Sequence, residues 1–246
     1  MTHSQQPIRL GVSACLLGDE VRYDGSHKRD AFLTDVLGAF VEWVKVCPED
    51  ESGMGTPREA IRLVDQDGRL RLLTVNTGVD HTDRMKKYAR DRLNELANAN
   101  LCGWVLKKDS PSCRLERVKL HRVGGRAIKS GTGIFARALL ARFPDLPVEE
   151  EDRLSDSRFR ENFIERVFAY RRLRDLFDGR WTIRDLVRFH TAHKLVLMAH
   201  SPSAYARLGR LVARARETPR AAVRARYTAG FMKALAVTCA RPSRKT

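Results

Sequence analysis

The sequence predicts an α/β module, Rossmann-like with a mostly parallel sheet, followed by a C-terminal all-α helical domain, and three observations carry that expectation. Short apolar runs at Ile8 to Val12, Val41 to Val46 and Trp104 to Leu106 alternate with helix-periodic segments, as strands of a buried parallel sheet do. Beyond residue 156 every start signal is helical. Between the two regions, Pro144 to Asp156 is rich in proline and acids and reads as a linker, dividing the chain into residues 1–147 and 148–246.

The elements follow in order. After the first two strands, Asp65-Gln66-Asp67-Gly68 forms a tight turn between two short strands. A helix runs from about Asp83 to Asn98, with Met85, Tyr88, Ala89, Leu93 and Leu96 on one face. Gly131-Thr132-Gly133 opens another, which continues through Ile134, Ala138 and Leu139 to Phe143 and stops before Pro144. Past the linker, Phe159, Phe163, Val167 and Tyr170 recur at helical spacing. Thr182 to Asp185 forms a capping box, and Ser201-Pro202 and Thr218-Pro219 each place an N-cap before a first-turn proline. Four helices are expected there, and because isolated helices of this length are marginal, their apolar faces must pack.

At 246 residues and 43% hydrophobic content the chain can bury real cores. It carries no 18-residue apolar stretch and no basic-then-apolar leader, so a cytoplasmic protein with no membrane association is expected. No obligatory protein partner is evident. Five cysteines are too few and too odd in number for a disulfide framework.

Charge is unevenly placed. Residues 1–150 carry net +3 and residues 151–246 net +13, and from Val187 onward 13 basic residues face a single acid, Glu217. That sign and density suit a sequence-independent phosphate-binding surface, with Arg188, Lys194, Arg214, Arg216, Arg224 and Arg226 as candidate contacts and RNA as the expected partner. A solvated arginine-rich surface is the plainer alternative. His190, His193, Lys194 and His200 fall on one predicted helix; lacking a cysteine or carboxylate partner they make a poor zinc site, and a polar helix face or an RNA-facing strip fits better.

Cys15, Cys47 and Cys113 each follow a predicted strand in a turn-like context. The carboxyl ends of parallel strands converge on one crevice, so three thiols far apart in sequence meet there. Soft thiolates select an iron-sulfur cluster, zinc or Cu(I), and a four-iron cluster on three thiolates leaves one iron open to substrate. No Cys-x-x-Cys pair is present, so incidental buried cysteines compete with that reading. Cys102 and Cys239 lie in apolar settings and read as packing residues.

The residues around the three cysteines are more specific. Ser13 to Gly18 with Val21-Arg22-Tyr23-Asp24-Gly25, Cys47-Pro48-Glu49 with Gly55-Thr56-Pro57-Arg58, and Leu106-Lys107-Lys108-Asp109-Ser110-Pro111-Ser112-Cys113 closely resemble the thiouracil desulfidase family over about the first 150 residues. Arg114 is a departure, because many members carry glycine there. The resemblance implies a 4Fe-4S enzyme with Cys15, Cys47 and Cys113 as ligands, the thione sulfur binding the open iron and water attacking the ring carbon. Glu49, carried two residues past a candidate ligand by a rigid proline, is the best-placed general acid/base, with a solvated loop carboxylate as the alternative. Ser110 and Ser112 are candidates to hydrogen-bond the uracil edge or the water, against ordinary turn chemistry, and Asp24 and Lys107 are candidates to contact substrate, Asp24-Gly25 against a simple turn. Arg58 and the Gly131-Thr132-Gly133 loop are the candidates for holding a substrate phosphate. The remainder of the chain resembles a helical domain fused to this module in a subgroup similar to RNA desulfidases. The leading expectation is therefore a tRNA desulfidase converting 4-thiouridine, or 2-thiouridine, to uridine with release of sulfide. Free thiouracil or a thiolated nucleotide is the alternative substrate, and a non-catalytic RNA-binding protein with structural metal is the alternative class.

Overall fold

In the computed structural model, which describes residues 7–122 and 128–238, the chain divides into two compact units: Met1–Pro144 with Val148–Arg153, and Asp145–Pro147 with Leu154–Thr246. The first runs β1 (Ile8–Ser13), β2 (Val41–Val46), β3 (Ile61–Gln66), β4 (Arg69–Thr74), α1 (Thr82–Glu95), β5 (Leu101–Leu106), β6 (Lys119–Arg122), β7 (Ile128–Lys129), α2 (Ile134–Arg142) and β8 (Val148–Glu150).

Four of these strands form one sheet in the order β2-β1-β5-β8, every neighbouring pair parallel. All of β5 and the last four residues of β1 are buried, as expected of strands covered on both faces. Gly11 is required at its place: it sits opposite Trp104 in the β1–β5 register, and a Cβ there would lie 2.1 Å from the indole. Trp104 continues the packing onto Phe135 of α2, ring centroids 5.7 Å apart. On α1 the buried residues Met85, Ala89 and Leu93 repeat at the spacing read from the sequence. A second, mixed sheet has the order β4-β3-β6-β7. Its β3–β4 hairpin turns on Asp67 (φ 53°) and Gly68 (φ 75°), the left-handed pair that matches strand twist.

The stretch read as a linker is not one. Val148 pairs with Trp104 and Glu150 with Leu106, so β8 is the edge strand of the main sheet. Its acids are tolerated because they are paired: Glu149 with Arg153 at 2.8 Å, Glu150 accepting the Leu115 N–H at 2.7 Å, and Glu151 with Lys107.

Among the described residues the second unit holds five α-helices where four were expected: α3 (Ser157–Phe177), α4 (Ile183–Ala192), α5 (Lys194–His200), α6 (Pro202–Ala213) and α7 (Arg220–Leu235). Its core gathers Leu173, Phe177, Trp181, Leu186, Leu208, Tyr227 and Phe231. Thr182 and Asp185 make the expected capping box, and the Ser201 hydroxyl accepts the Ala204 N–H at 3.3 Å. At the last helix the cap expectation fails. Pro219 itself is the N-cap residue, and the Thr218 hydroxyl instead donates to the Arg214 carbonyl at 3.2 Å.

The expected histidine strip is broken between α4 and α5, where His193 leaves helical geometry and stacks on Phe189 at 4.0 Å. His190 is buried, bonded to the Tyr227 hydroxyl at 3.1 Å, and His200 Nε2 meets Glu165 at 2.8 Å. Each histidine is thus tied to its own helix packing, which removes a shared RNA-facing row. No helix among the described residues is long and apolar enough to cross a membrane.

Candidate active site at the strand ends

Each strand of the parallel sheet delivers chemistry just past its carboxyl end. Cys15 lies in the turn after β1, Cys47 directly after β2, Cys113 in the Ser110–Pro111–Ser112 turn after β5, and Glu151 directly after β8. Cys15, Cys47 and Cys113 line one cavity of about 590 Å³ together with Tyr23, Glu49, Arg58, Lys107, Ser110 and Glu151. Convergence of three thiols was the central expectation, and the sheet order accounts for it, since β2, β1 and β5 are neighbours.

The thiols are free and influence one another. Burial pushes Cys15 up to about 12, with Cys47 adding to the rise and Lys107 opposing it. Burial pushes Cys47 up to about 11, and Arg58 opposes it; Cys113, fully enclosed, is raised well above the ordinary thiol value. A bare set of this kind stays protonated, so it becomes anionic only when a metal centre displaces the protons. Among the described residues no three His, Cys, Asp or Glu side chains draw close enough to share one ion. A single zinc would need all its sulfurs about 2.3 Å from one point, whereas a multinuclear cluster takes each thiolate on a different iron. Three soft thiolates from separate strands are a donor set whose chemistry such a cluster accepts.

Glu49 is held at both oxygens. Arg58 Nη2 donates to Oε2 at 2.6 Å, and the Ser110 hydroxyl donates to Oε1 at 3.0 Å. Ser110 Oγ in turn accepts the backbone N–H groups of Ser112 and Cys113, both at 3.2 Å. Arg58 is anchored by the Val21 and Gly55 carbonyls at 3.0 and 2.9 Å and by Thr56 Oγ1 at 3.1 Å. Behind Cys47, the Glu51 carboxylate accepts the Cys47 N–H at 2.8 Å and the Tyr88 hydroxyl at 2.6 Å. Opposite Glu49, Lys107 pairs with Glu151, whose other oxygen accepts the Lys108 N–H at 2.6 Å.

Several expected roles change. Ser112 is fully buried, lies outside the cavity lining, and uses its carbonyl to accept the Phe135 and Ala136 N–H groups at the start of α2, at 3.0 and 3.1 Å. Those amides are the ones a phosphate would need, so the Gly131-Thr132-Gly133 loop is not an anion cradle. A Cβ on Gly133 would lie 2.4 Å from the Ser112 oxygen, so close packing explains that glycine. Asp24 also misses the cavity: its carboxylate accepts the Ser26 N–H at 3.1 Å and hydroxyl at 2.6 Å, closing a turn. Arg58 braces Glu49 instead of offering its guanidinium to a substrate phosphate.

Arg114 is absent from the residues of positive φ, so glycine is not required there. Cys102 is fully buried in β5 as a packing residue; Cys239 lies outside the described residues. Of the candidate RNA contacts, Lys194, Arg214, Arg216 and Arg226 are exposed. Arg188 pairs with Asp185 at 2.7 Å, and Arg224 donates to the Phe177 carbonyl at 3.1 Å, so these two are already engaged.

Sequence reasoning missed Glu151, Tyr23 and Glu51. The signal for Glu151 was the run Glu149-Glu150-Glu151 after Val148, which needs partners if any part of it is buried.

A family model described as 2-thiouracil desulfurase matches residues 10–151, and one described as a protein of unknown function, DUF1722, matches residues 194–245. The uncharacterized protein YbbK of Bacillus subtilis (strain 168) is 30% identical over 134 residues, which make up 52% of this chain and 87% of that protein. A solved structure, the 4Fe-4S-dependent thiouracil desulfidase TudS, shares 34% identity over 60% of this chain and 93% of that chain, at a TM-score of 0.49.

Proposed function

The chain belongs to the 2-thiouracil desulfurase family, and on that premise we propose that it hydrolyses the carbon-sulfur bond of a thiolated uracil, with Cys15, Cys47 and Cys113 holding a 4Fe-4S cluster and thiouridine in tRNA as substrate. The observation that supports this most is the opening of three thiols from three adjacent strands onto the cavity that Glu49 and Ser110 also line. Bound there, such a cluster would supply an iron without a protein ligand, a soft acceptor for the thione sulfur and for the sulfide it leaves as.

The chain's own residues supply the proton chemistry. Water adds to the ring carbon as its proton passes to Glu49 Oε1, the oxygen that faces Ser110. That proton is returned to the departing sulfur as the carbon-sulfur bond breaks, and the proton left on the added hydroxyl passes to Glu49 and on to solvent as the carbonyl forms. The carbonyl replaces the thione, one water is consumed, hydrosulfide departs, and no electron is exchanged. Ser110 keeps that oxygen aimed at the cavity, and its own oxygen is fixed by two backbone N–H groups. Arg58 holds the far oxygen, so the carboxylate cannot rotate away. Lys107 places a positive charge near Cys15, which favours the thiolate.

The net charge of +13 over residues 151–246 supports RNA as the form in which the base arrives. A free thiolated base or nucleotide is the second reading, favoured by a cavity whose volume is that of ordinary small-ligand sites. One experiment separates them. Full-length protein, loaded anaerobically with iron and sulfide, is incubated with 4-thiouridine-containing tRNA or with 4-thiouracil, and nucleosides and sulfide are quantified. Loss of 4-thiouridine with matching gain of uridine supports the tRNA reading, and turnover of 4-thiouracil alone favours the second. Sulfide from neither substrate would overturn the reaction itself.

A further inference from the structure

A second hollow of about 390 Å³ adjoins the thiol cavity, and Ile61, Asp109 and Pro111 line both. Its remaining polar wall is formed by the cations Arg62, Arg114, Arg117, Lys119 and Lys129, with His121 among them. The strand register explains the concentration. His121 pairs with Val64 and Lys119 with Lys129. Residues two apart on a strand share a face, so Arg62, Lys119, His121 and Lys129 all project from one side of the mixed sheet.

Such a face is costly without a counter-charge. Like charges directly opposite one another, as Lys119 and Lys129 are, destabilise a sheet. Among the described residues Arg62, Arg117, Lys119 and Lys129 form no ion pair, and the Arg62 Nε is buried without a hydrogen-bond acceptor. The one lining acid, Asp109, is already engaged by Arg114. Elsewhere on the same sheet the contrast is plain, because Arg71 meets Asp80 at 3.0 Å. His121 is lowered by burial and by the neighbouring Arg62 and Lys119, in keeping with a positive local field.

We infer that this hollow is a phosphate subsite of the same centre, taking the phosphate of the nucleotide whose thiolated base enters the adjoining cavity. The inference rests on the desulfidase reading for the base, and on the mixed sheet alone for the anion. Base and phosphate of one nucleotide are joined through a single sugar, so their sites must adjoin, as these two do. The two groups first expected to hold phosphate are both occupied, Arg58 by Glu49 and the α2 amides by Ser112. The anion chemistry is common to a free nucleotide's monoester and an RNA chain's diester.

The test uses the full-length, cluster-loaded protein and the double variant Lys119→Ala/Lys129→Ala, both positions being exposed and outside the Glu49 machinery. Arg117→Ala, an exposed position next to the same sheet, serves as an independent second variant. Binding of fluorescent hexauridylate is followed by anisotropy over a salt series, and turnover is followed on 4-thiouridine monophosphate and on 4-thiouracil. The expected result is at least tenfold weaker hexauridylate binding, a log-log salt slope shallower by about 1.4 for the two lost contacts, a KM for the monophosphate raised at least tenfold, and unchanged kcat/KM on 4-thiouracil. Loss of hexauridylate binding with an unchanged monophosphate KM assigns the subsite to RNA diesters, and loss on both assigns it to either ester. Wild-type values for both ligands in both variants overturn the subsite. If the unmodified protein desulfurates nothing, the function reading fails while the hexauridylate arm still decides the groove.

Discussion

Arg58→Met removes one partner of a buried ion pair and leaves the other in place. The side chains of Arg58 and Glu49 are only 6% and 13% exposed, and they meet at 2.6 Å. Breaking a pair of that kind costs about 3–5 kcal/mol, because the remaining charge is stranded away from water, whereas a surface pair is worth at most about 1 kcal/mol. Three further acceptors, on Val21, Gly55 and Thr56, lose their donor at the same time. A unit of this size shifts its midpoint by about 2–4 °C per kcal/mol, so a fall of roughly 6–20 °C is expected. The assay is thermal and urea unfolding of metal-free protein in a Trp181→Phe background, so that Trp43 and Trp104 report the first unit alone. Pairing Arg58→Met with Glu49→Gln completes a double-mutant cycle, and the double variant should be more stable than the sum of the single losses by about 2 kcal/mol or more. A coupling below about 0.5 kcal/mol would refute the claim that Glu49 is held as a buried, oriented carboxylate.

The other expectations follow from the same geometry. Glu49→Gln should keep cluster absorbance near 400 nm and slow turnover by about 10²-fold or more, and unchanged turnover removes Glu49 from the proton chemistry. Alanine at Cys15, Cys47 or Cys113 should abolish that absorbance, while Cys102→Ala keeps it; a retained spectrum in any of the first three breaks the ligand assignment. In metal-free protein, Cys47 near pKa 11 holds about one thiolate in a thousand at pH 8. Its alkylation by iodoacetamide should then run at least about 10²-fold below free cysteine and rise tenfold per pH unit up to about 11, and a rate flat above pH 8 contradicts the burial effect. A chain ending after Pro147 lacks β8 and Glu151 and should fail to load cluster, whereas one ending after Asp156 should load it; equal loading would show that β8 does not complete the site.

The legible parts of this chain were those with a strong period or a specific local pattern. β1, β2 and β5 announced themselves because their apolar runs end in turn residues, and the three cysteines inherited their convergence from the parallel sheet. β8 stayed hidden because three residues, two of them glutamates, carry no readable alternation, and the burial of those glutamates depends on the Leu115 N–H and Arg153 reaching them. The break at His193 has no glycine or proline to mark it; it is stabilised by stacking on Phe189 and is visible only in three dimensions. Ser112 and Gly133 show the same limit from another side. Their residue types suggested substrate contact, but the deciding fact was a close approach between two backbones.

The strand order also fixes a schedule for synthesis. In the sheet β2-β1-β5-β8, the strand made first ends up inside, and partners are added on either side of it as the chain lengthens. Cys15 and Cys47 emerge early but wait about seventy residues for Cys113, so no complete thiol set exists on a nascent chain before that point. Glu151 closes the far wall only after another stretch of translation, and the helical unit follows it. The set of groups that lines the cavity is therefore whole only once Glu151 has been made, and iron and sulfide arriving earlier meet an incomplete site.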